Sequence, residues 1–394
     1  MAEGDAMAEV EIGIGKSGRR AYGFDDVAIV PSRRTRDPED VAINWDIDAF
    51  RFELPLLGSA MDGVISPRTA IEIGRLGGVG VLNLEGLWTR YADPDPILEE
   101  ISTLDNATAT KRMQELYAEP IKPELIGERI QQIKDAGVTT AASLTPQRVK
   151  QFYPMVLEAG LDLFVIQGTV VSAEHVSSRA EPLNLKKFIG DLDVPVIVGG
   201  CASFSTALHL MRTGAAGLLV GVGPGQACTT RGVLGVGVPM ATAIADAAGA
   251  RMRYLDESGG RYVHIIADGG MRTGGDIAKA IVCGADAVMI GSPLSRAIEA
   301  PGRGYHWGMA TFHPDLPRGT RVKTTTAGTL KEILVGPAEI NDGTMNLFGA
   351  LRTSMATTGY ATLKEFQKAE MMVAPSIQTE GKSLQRAQSV GMGR

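Results

Sequence analysis

Cysteine is scarce in this chain, with only Cys201, Cys228 and Cys283 among 394 residues. They are too few and too unpatterned for a disulfide framework or a zinc site, and they suit a reducing compartment. Long hydrophobic runs are missing as well. No segment reaches about eighteen uninterrupted apolar residues, and the first twenty residues hold acidic and glycine positions but no apolar signal core. Positive charge is not concentrated either. Lys and Arg total 39 against 45 Asp and Glu, the pI is about 5.5, and dispersed cations argue against a nucleic-acid-binding surface. We therefore expect a soluble cytoplasmic protein with no nucleic-acid and no membrane partner. A P-loop is lacking too: Gly13-Ile14-Gly15-Lys16-Ser17-Gly18 has no glycine four residues before Gly15-Lys16, and it has no strong strand before and helix after it to act as a dinucleotide fingerprint. Residues 1–20 are expected to be a flexible terminus.

What the chain does have is the stretch Gly221-Val222-Gly223-Pro224-Gly225-Gln226-Ala227-Cys228-Thr229-Thr230-Arg231, on the end of the apolar run Gly217-Leu218-Leu219-Val220. Alternate glycines remove Cβ atoms where backbone must approach a ligand, and Pro224 removes an amide that could continue a strand. The loop delivers Cys228 between hydroxyls and a guanidinium. Only a thiolate is nucleophilic, and nearby donors and positive charge favour it. The bland alternative is a buried cysteine acting as a small hydrophobe.

Short runs rich in Val, Ile, Leu and Gly recur from residue 54: Leu54 to Ala60, Gly78 to Asn83, Thr140 to Leu144, Leu163 to Gly168, Pro195 to Gly200, Gly217 to Gly223, His264 to Gly270 and Ala287 to Ser292. They are continuous rather than alternating, as strands buried on both faces must be. Most precede helical spacing that ends near a glycine able to act as a C-cap. Eight such units predict an α/β fold of the (β/α)₈ TIM-barrel type over residues 21–365, with a doubly wound sheet as the alternative. The segment Phe24 to Pro31 is expected to plug one end of the domain. About a hundred residues follow the eighth run; they are expected to cover the catalytic face or reach a neighbouring subunit, with residues 366–394 a partly disordered tail.

Barrel chemistry sits at the C-terminal ends of the strands. There the seventh run ends on Asp268-Gly269-Gly270 and the eighth on Gly291-Ser292. Glycine turns and helix starts supply amides for a phosphate, while Asp268 suits a ribose, whose vicinal hydroxyls a carboxylate can accept. The structural alternatives are a helix cap for Asp268 and an ordinary turn for Gly291-Ser292. Thiol, ribose and phosphate elements on consecutive strands read as an enzyme using a thiolate on a nucleoside monophosphate.

From Phe24 to about Leu363 the chain resembles the catalytic barrel of the IMP dehydrogenase and GMP reductase family. The resemblance rests on Phe24-Asp25-Asp26-Val27 with Val30-Pro31, Gly58-Ser59-Ala60-Met61-Asp62, the glycine loop with Cys228-Thr229-Thr230, Ala267-Asp268-Gly269-Gly270, Met289-Ile290-Gly291-Ser292, Glu299-Ala300-Pro301-Gly302 and Gly308-Met309. It implies that Cys228 attacks purine C2 with Thr230 close to the proton transfer, and that Asp268 holds the ribose. Gly270, Gly291 and Ser292 would hold the phosphate, and Ser59, Met61, Met309 and Ala310 the sugar and base. It further implies NAD or NADP, met by Gln167, Gly221 and Gly223, a monovalent cation such as K⁺ on the carbonyls of Gly223, Gly225 and Cys228, and a homotetramer or octamer.

The chain departs from the family in several places. The regulatory CBS modules that most family dehydrogenases insert after the second strand are replaced by Asp93 to Ala136. Gln167 stands where the family has an acid for the cofactor ribose, and Gln226 where it has a serine beside the phosphate. The flap carrying an Arg-Tyr pair that activates water is nearly deleted, leaving Thr311 to Asp315, and Arg318 stands where the family has Glu or Gln. The expectation is a purine-nucleotide oxidoreductase of the IMP dehydrogenase type, acting on IMP and yielding XMP, with Arg318 in the role of the missing flap. The alternatives are a GMP reductase and a nucleotide-binding regulator without turnover. A flavin-dependent barrel is a further one, which would be yellow when purified.

Overall fold

The apolar runs pair in the computed structural model as eight parallel strands, β1 Leu56–Gly58, β2 Val79–Asn83, β3 Ala141–Leu144, β4 Leu163–Gln167, β5 Val196–Cys201, β6 Gly217–Val220, β7 His264–Asp268 and β8 Ala287–Ile290. The structure describes residues 9–178, 182–308, 320–377 and 379–393. Sequential pairing runs all the way round, and Val288 opposite Leu56 joins β8 to β1, so the sheet closes into a barrel. The fold is a (β/α)₈ barrel. Eight helices cover it: α1 Pro67–Arg75, α2 Pro123–Lys134, α3 Pro146–Glu158, α4 Leu185–Gly190, α5 Phe204–Met211, α6 Met240–Ser258, α7 Gly274–Val282 and α8 Leu347–Thr357.

Local chemistry starts and stops these helices as the sequence leads one to expect. Ser66, Ser203 and Thr273 each accept a backbone amide from the first turn of α1, α5 and α7, supplying the acceptor that an isolated helix start lacks. Past the end of α6, Gly259 takes φ +71°, a left-handed geometry that costs glycine nothing. The segment from Asp93 to Ala136 contains two further helices, Asp95–Thr103 and Asn106–Leu116, ahead of α2.

Within each strand, side chains alternate between the barrel interior and the layer beneath the helices. Leu57, Val79, Val81, Leu163, Val165, Ile197, Leu219, Ile266 and Met289 fill the interior together with Trp45, Ile47 and Phe52. Those last three come from a hairpin, Trp45–Ile47 paired with Phe50–Phe52. Trp45 Nε1 lies 3.1 Å from Nδ1 of His264, the first residue of β7, so the hairpin closes the N-terminal mouth of the barrel. This corrects the expectation that Phe24 to Pro31 is the plug. That segment instead forms a short strand, Val27–Ile29, which pairs antiparallel with Met371–Val373 of the C-terminal tail.

The N-terminal segment read as flexible contains an antiparallel hairpin, Glu9–Gly13 with Lys16–Arg19. Gly15 supplies the turn at φ +77°, and Arg19 Nη2 reaches Asp246 Oδ2 on α6 at 2.5 Å. Part of the long stretch after β8 is accounted for by α8. It packs so closely on α7 that a Cβ on Gly274 would lie 2.3 Å from Ala350 Cβ. Among the described residues no helix is long and apolar enough to cross a membrane.

Candidate active site

A cavity of about 1100 Å³ opens at the C-terminal ends of the strands. The loop after β6 forms one wall. Gly221 donates its amide to Cys201 O at 2.8 Å, and a Cβ on it would lie 2.2 Å from Asp268 O, so only glycine lets this loop press against the end of β7. Arg231 packs beneath the loop and donates to the carbonyls of Val222 at 3.2 Å and Val238 at 2.7 Å. The guanidinium that the sequence places near the thiol is therefore chiefly a brace for the loop.

Cys228 sits part-buried on that wall, its amide bonded to Gly225 O at 3.0 Å. Its thiol lies 3.1 Å from Thr230 Oγ1, and Thr230 is fully buried. As a thiol Cys228 donates to Thr230; as a thiolate it can accept from the hydroxyl once that rotates. The pair can therefore follow a change of charge on sulfur without moving backbone. Burial pushes the thiols of Cys201 and Cys283 up to about 12 and leaves them inert.

Asp268, at the end of β7, also faces the cavity. Burial pushes its carboxyl up to about 7, against the opposing effect of a hydrogen bond from Gln167. Gln167 Nε2 makes that contact at 3.2 Å, so the amide assigned to the cofactor by resemblance stands on the ribose candidate. Its Oε1 is buried with no hydrogen-bond partner among the described residues. The turn after Asp268 uses positive φ at Gly269 (+81°) and Gly270 (+79°), and a Cβ on Gly270 would lie 3.1 Å from Pro224 Cβ. The ribose-side turn and the thiol loop are thus in contact.

On the far side β1 and β8 contribute Ser59, Met61, Gly291 and Ser292. Ser59 N donates to Ile290 O at 2.9 Å, and a Cβ on Gly291 would lie 2.6 Å from Met61 Sδ. Ser292 Oγ lies 2.8 Å from His306 Nε2. The structure therefore brings Cys228, Thr230, Asp268, Gln167, Gly270, Ser59, Met61, Gly291, Ser292, Gly221, Gly223 and Gly225 to one cavity. Met309, Ala310 and Arg318 lie outside the described residues.

Sequence reasoning did not anticipate a buried network on the cavity's other wall. Asp62 accepts from Leu87 N at 2.9 Å and from the Tyr117 hydroxyl, and Tyr117 accepts from Trp307 Nε1 at 2.8 Å. Burial pushes Asp62 up to about 6 although these donors oppose it. Arg90 stands beside Tyr117 with its Cζ 5.9 Å from the ring centre. Asp62 directly follows Met61 and could have been suspected. Tyr117 could not, because it arrives from the helical segment between β2 and α2 with no spacing signal. His306 is likewise a lone histidine without a patterned partner.

Among the described residues no group of three His, Cys, Asp or Glu side chains could hold a metal. A monovalent cation would need backbone carbonyls, and of the three named by resemblance that of Gly225 already accepts from Cys228 N. A nicotinamide cofactor fits the cavity's chemistry better, since the unpartnered Gln167 Oε1 offers an acceptor for a hydroxyl.

Comparison with known proteins shows which family the chain resembles. The sequence profile described as IMP dehydrogenase / GMP reductase domain matches residues 21–313. An uncharacterized oxidoreductase of Mycobacterium leprae is 52% identical over 93% of this chain and 100% of its own length, and one of Mycolicibacterium smegmatis is 51% identical over 92% and 99%. The inosine-5'-monophosphate dehydrogenase of Methanocaldococcus jannaschii is 28% identical, covering 92% of this chain and 94% of that protein. The crystal structure of an IMP dehydrogenase/GMP reductase-like protein from Corynebacterium glutamicum superposes with a TM-score of 0.88 at 50% identity, over 93% of this chain and 97% of that one. With its barrel, its cysteine loop and these similarities, the chain belongs to the IMP dehydrogenase / GMP reductase family of oxidoreductases.

Proposed function

We propose that the protein oxidises a purine nucleoside monophosphate, IMP to XMP, through a covalent bond between Cys228 and purine C2. The observation that carries this reading is the meeting of Cys228, Asp268 and the Gly291-Ser292 turn in one cavity. In the free enzyme Asp268 accepts from Gln167 and keeps acceptor capacity for two vicinal hydroxyls. Gly270 and Gly291 follow the C-terminal ends of β7 and β8, on the face where glycine turns suit a phosphate.

Cys228 as thiolate adds to C2 of the base, and Thr230 accompanies the change of charge on sulfur. A nicotinamide cofactor would supply the acceptor for the hydride lost from C2, and Gln167 Oε1 with the Gly221 to Gly223 backbone would hold it beside the base. Water then adds to C2 of the thioimidate, a proton leaves, and the C–S bond breaks to release XMP and the thiolate. Arg318, by the resemblance, orients that water or stabilises the charge that develops.

The test is absorbance at the reduced-nicotinamide band with IMP plus NAD⁺ against GMP plus NADPH. Growth of the band in the first mixture supports the reading. Loss of the band in the second alone would show that the same thiolate displaces ammonia from GMP and that the enzyme is a reductase. No change in either, with nucleotide bound, would leave a nucleotide-binding regulator.

A further inference from the structure

A serine hydroxyl turns among three staggered positions, and Ser292 can serve a phosphate only if its hydrogen points into the cavity. Behind it stands His306, fully buried, with Nε2 2.8 Å from Ser292 Oγ. The other ring nitrogen, Nδ1, is 3.3 Å from Ser295 Oγ. Ser295 Oγ in turn donates to Ser292 O at 2.7 Å and lies 3.3 Å from Thr324 Oγ1. Backbone fixes the ring's place, since Tyr305–His306 pairs antiparallel with Val322–Lys323, His306 opposite Val322. Ser292 lines the cavity, and His306 lies one layer further back.

We infer that His306 is a positioning residue: which of its ring nitrogens carries the proton decides whether Ser292 offers a hydrogen or only a lone pair to the phosphate of the bound nucleotide. The inference rests on the nucleotide reading above and adds a residue to it. Burial pushes the imidazole down to about 4, so near neutral pH the ring holds a single proton and one nitrogen must be an acceptor. With the proton on Nδ1, the ring donates to Ser295, which still donates to Ser292 O, while Nε2 accepts the Ser292 hydrogen. Every polar atom of the relay is then satisfied, but Ser292 shows the cavity only lone pairs, which repel an anion. With the proton on Nε2, the ring donates to Ser292 Oγ and frees the hydroxyl hydrogen for the ligand. Nδ1 can then accept from Ser295. An anion therefore selects the second tautomer, and the buried ring transmits that choice without touching the ligand.

Titration calorimetry with IMP and with inosine tests this on the wild type and five variants. His306→Ala should weaken IMP by roughly 3- to 30-fold, from a freed rotamer and a lost hydrogen bond, and leave inosine unchanged. In a Ser292→Ala background the same substitution should cost nothing further. His306→Gln, whose amide nitrogen can reach the Nε2 position, should recover most of the IMP affinity. His306→Asn, which reaches only the Nδ1 position, should not. In ¹⁵N spectra of the wild type, Nε2 should change from acceptor-like to protonated when IMP is added. Additive losses in the double variant, an equal loss for inosine, or the same response from Gln and Asn would each overturn the role of His306 in a protein that prefers IMP. Equal binding of IMP and inosine by the wild type would instead sink the nucleotide reading, and this inference with it.

Discussion

Replacing Asp268 by Asn should make the free protein more stable and a worse nucleotide binder. Burial pushes this carboxyl from 3.8 to about 7, so its ionised form strains the folded state when no ligand is present. The full difference corresponds to about 4 kcal/mol at about 1.36 kcal/mol per pH decade. The cavity is open to water, which screens the charge, so ~1–2 kcal/mol is the effect to expect. A carboxyl that binds its proton more tightly when folded imposes no cost below its unfolded value, and the cost is complete above its folded one. Urea unfolding without ligand should thus show Asp268→Asn equal to wild type near pH 4, pulling ahead through the range from 4 to about 7, and ahead by ~1–2 kcal/mol at pH 8. Nucleotide affinity should fall by ~1–3 kcal/mol, because charged hydrogen bonds to the ribose are lost. Wild-type affinity should also tighten as pH rises through 7, a trend absent from the variant. A variant less stable than wild type at pH 8 would refute the reasoning, since a carboxylate already satisfied by the protein has no need of a sugar.

Gly221→Ala should abolish turnover, because the new Cβ would lie 2.2 Å from Asp268 O at φ +156°; activity within tenfold of wild type would mean that the loop has room to move. Asp286→Ala, at the opposite mouth of the barrel, should cost ~3–5 kcal/mol of stability, the usual penalty for breaking a buried ion pair, with kcat retained when assayed well below the melting temperature. Asp286 accepts from Arg251 at 2.7 Å, Tyr262 at 2.7 Å and Ile265 N at 2.8 Å, and from Lys364. Burial pushes it upward, yet the nearby cations outweigh burial and hold it below the usual carboxylate range, so its stabilisation should be full at neutral pH and fade as pH falls. Arg318→Gln should slow steady-state turnover by roughly 10²-fold or more while a first burst of reduced cofactor survives; a burst that falls in step would place Arg318 in binding or hydride transfer, and no change would make it a surface residue.

The barrel was legible because strands buried on both faces must be apolar throughout, and all eight runs carry that mark. The runs extend three residues past the end of β6 and two past the ends of β7 and β8, where Gly221, Gly269 and Gly291 continue the sequence pattern but leave the ladder. The plug was misplaced for a related reason. Trp45–Ile47 and Phe50–Phe52 are three residues each, too short for periodicity to separate from noise. Cys228, Asp268 and Gly291-Ser292 could be found because glycine geometry marks them locally. Tyr117 and His306 act through partners 55 and 14 residues away, and a single sequence holds no signal for such pairings.

Covalent chemistry at Cys228 is measured most directly by the mass of the peptide containing that residue. The protein is mixed with IMP and NAD⁺, quenched in acid within the first turnovers, digested and weighed. A nucleotide increment should appear on the Cys228 peptide alone, be absent from the peptides of Cys201 and Cys283, and disappear in a Cys228→Ala variant that still binds IMP but reduces no NAD⁺. Reduction of NAD⁺ that continues in that variant, or proceeds with Cys228 unmodified throughout, would contradict the account.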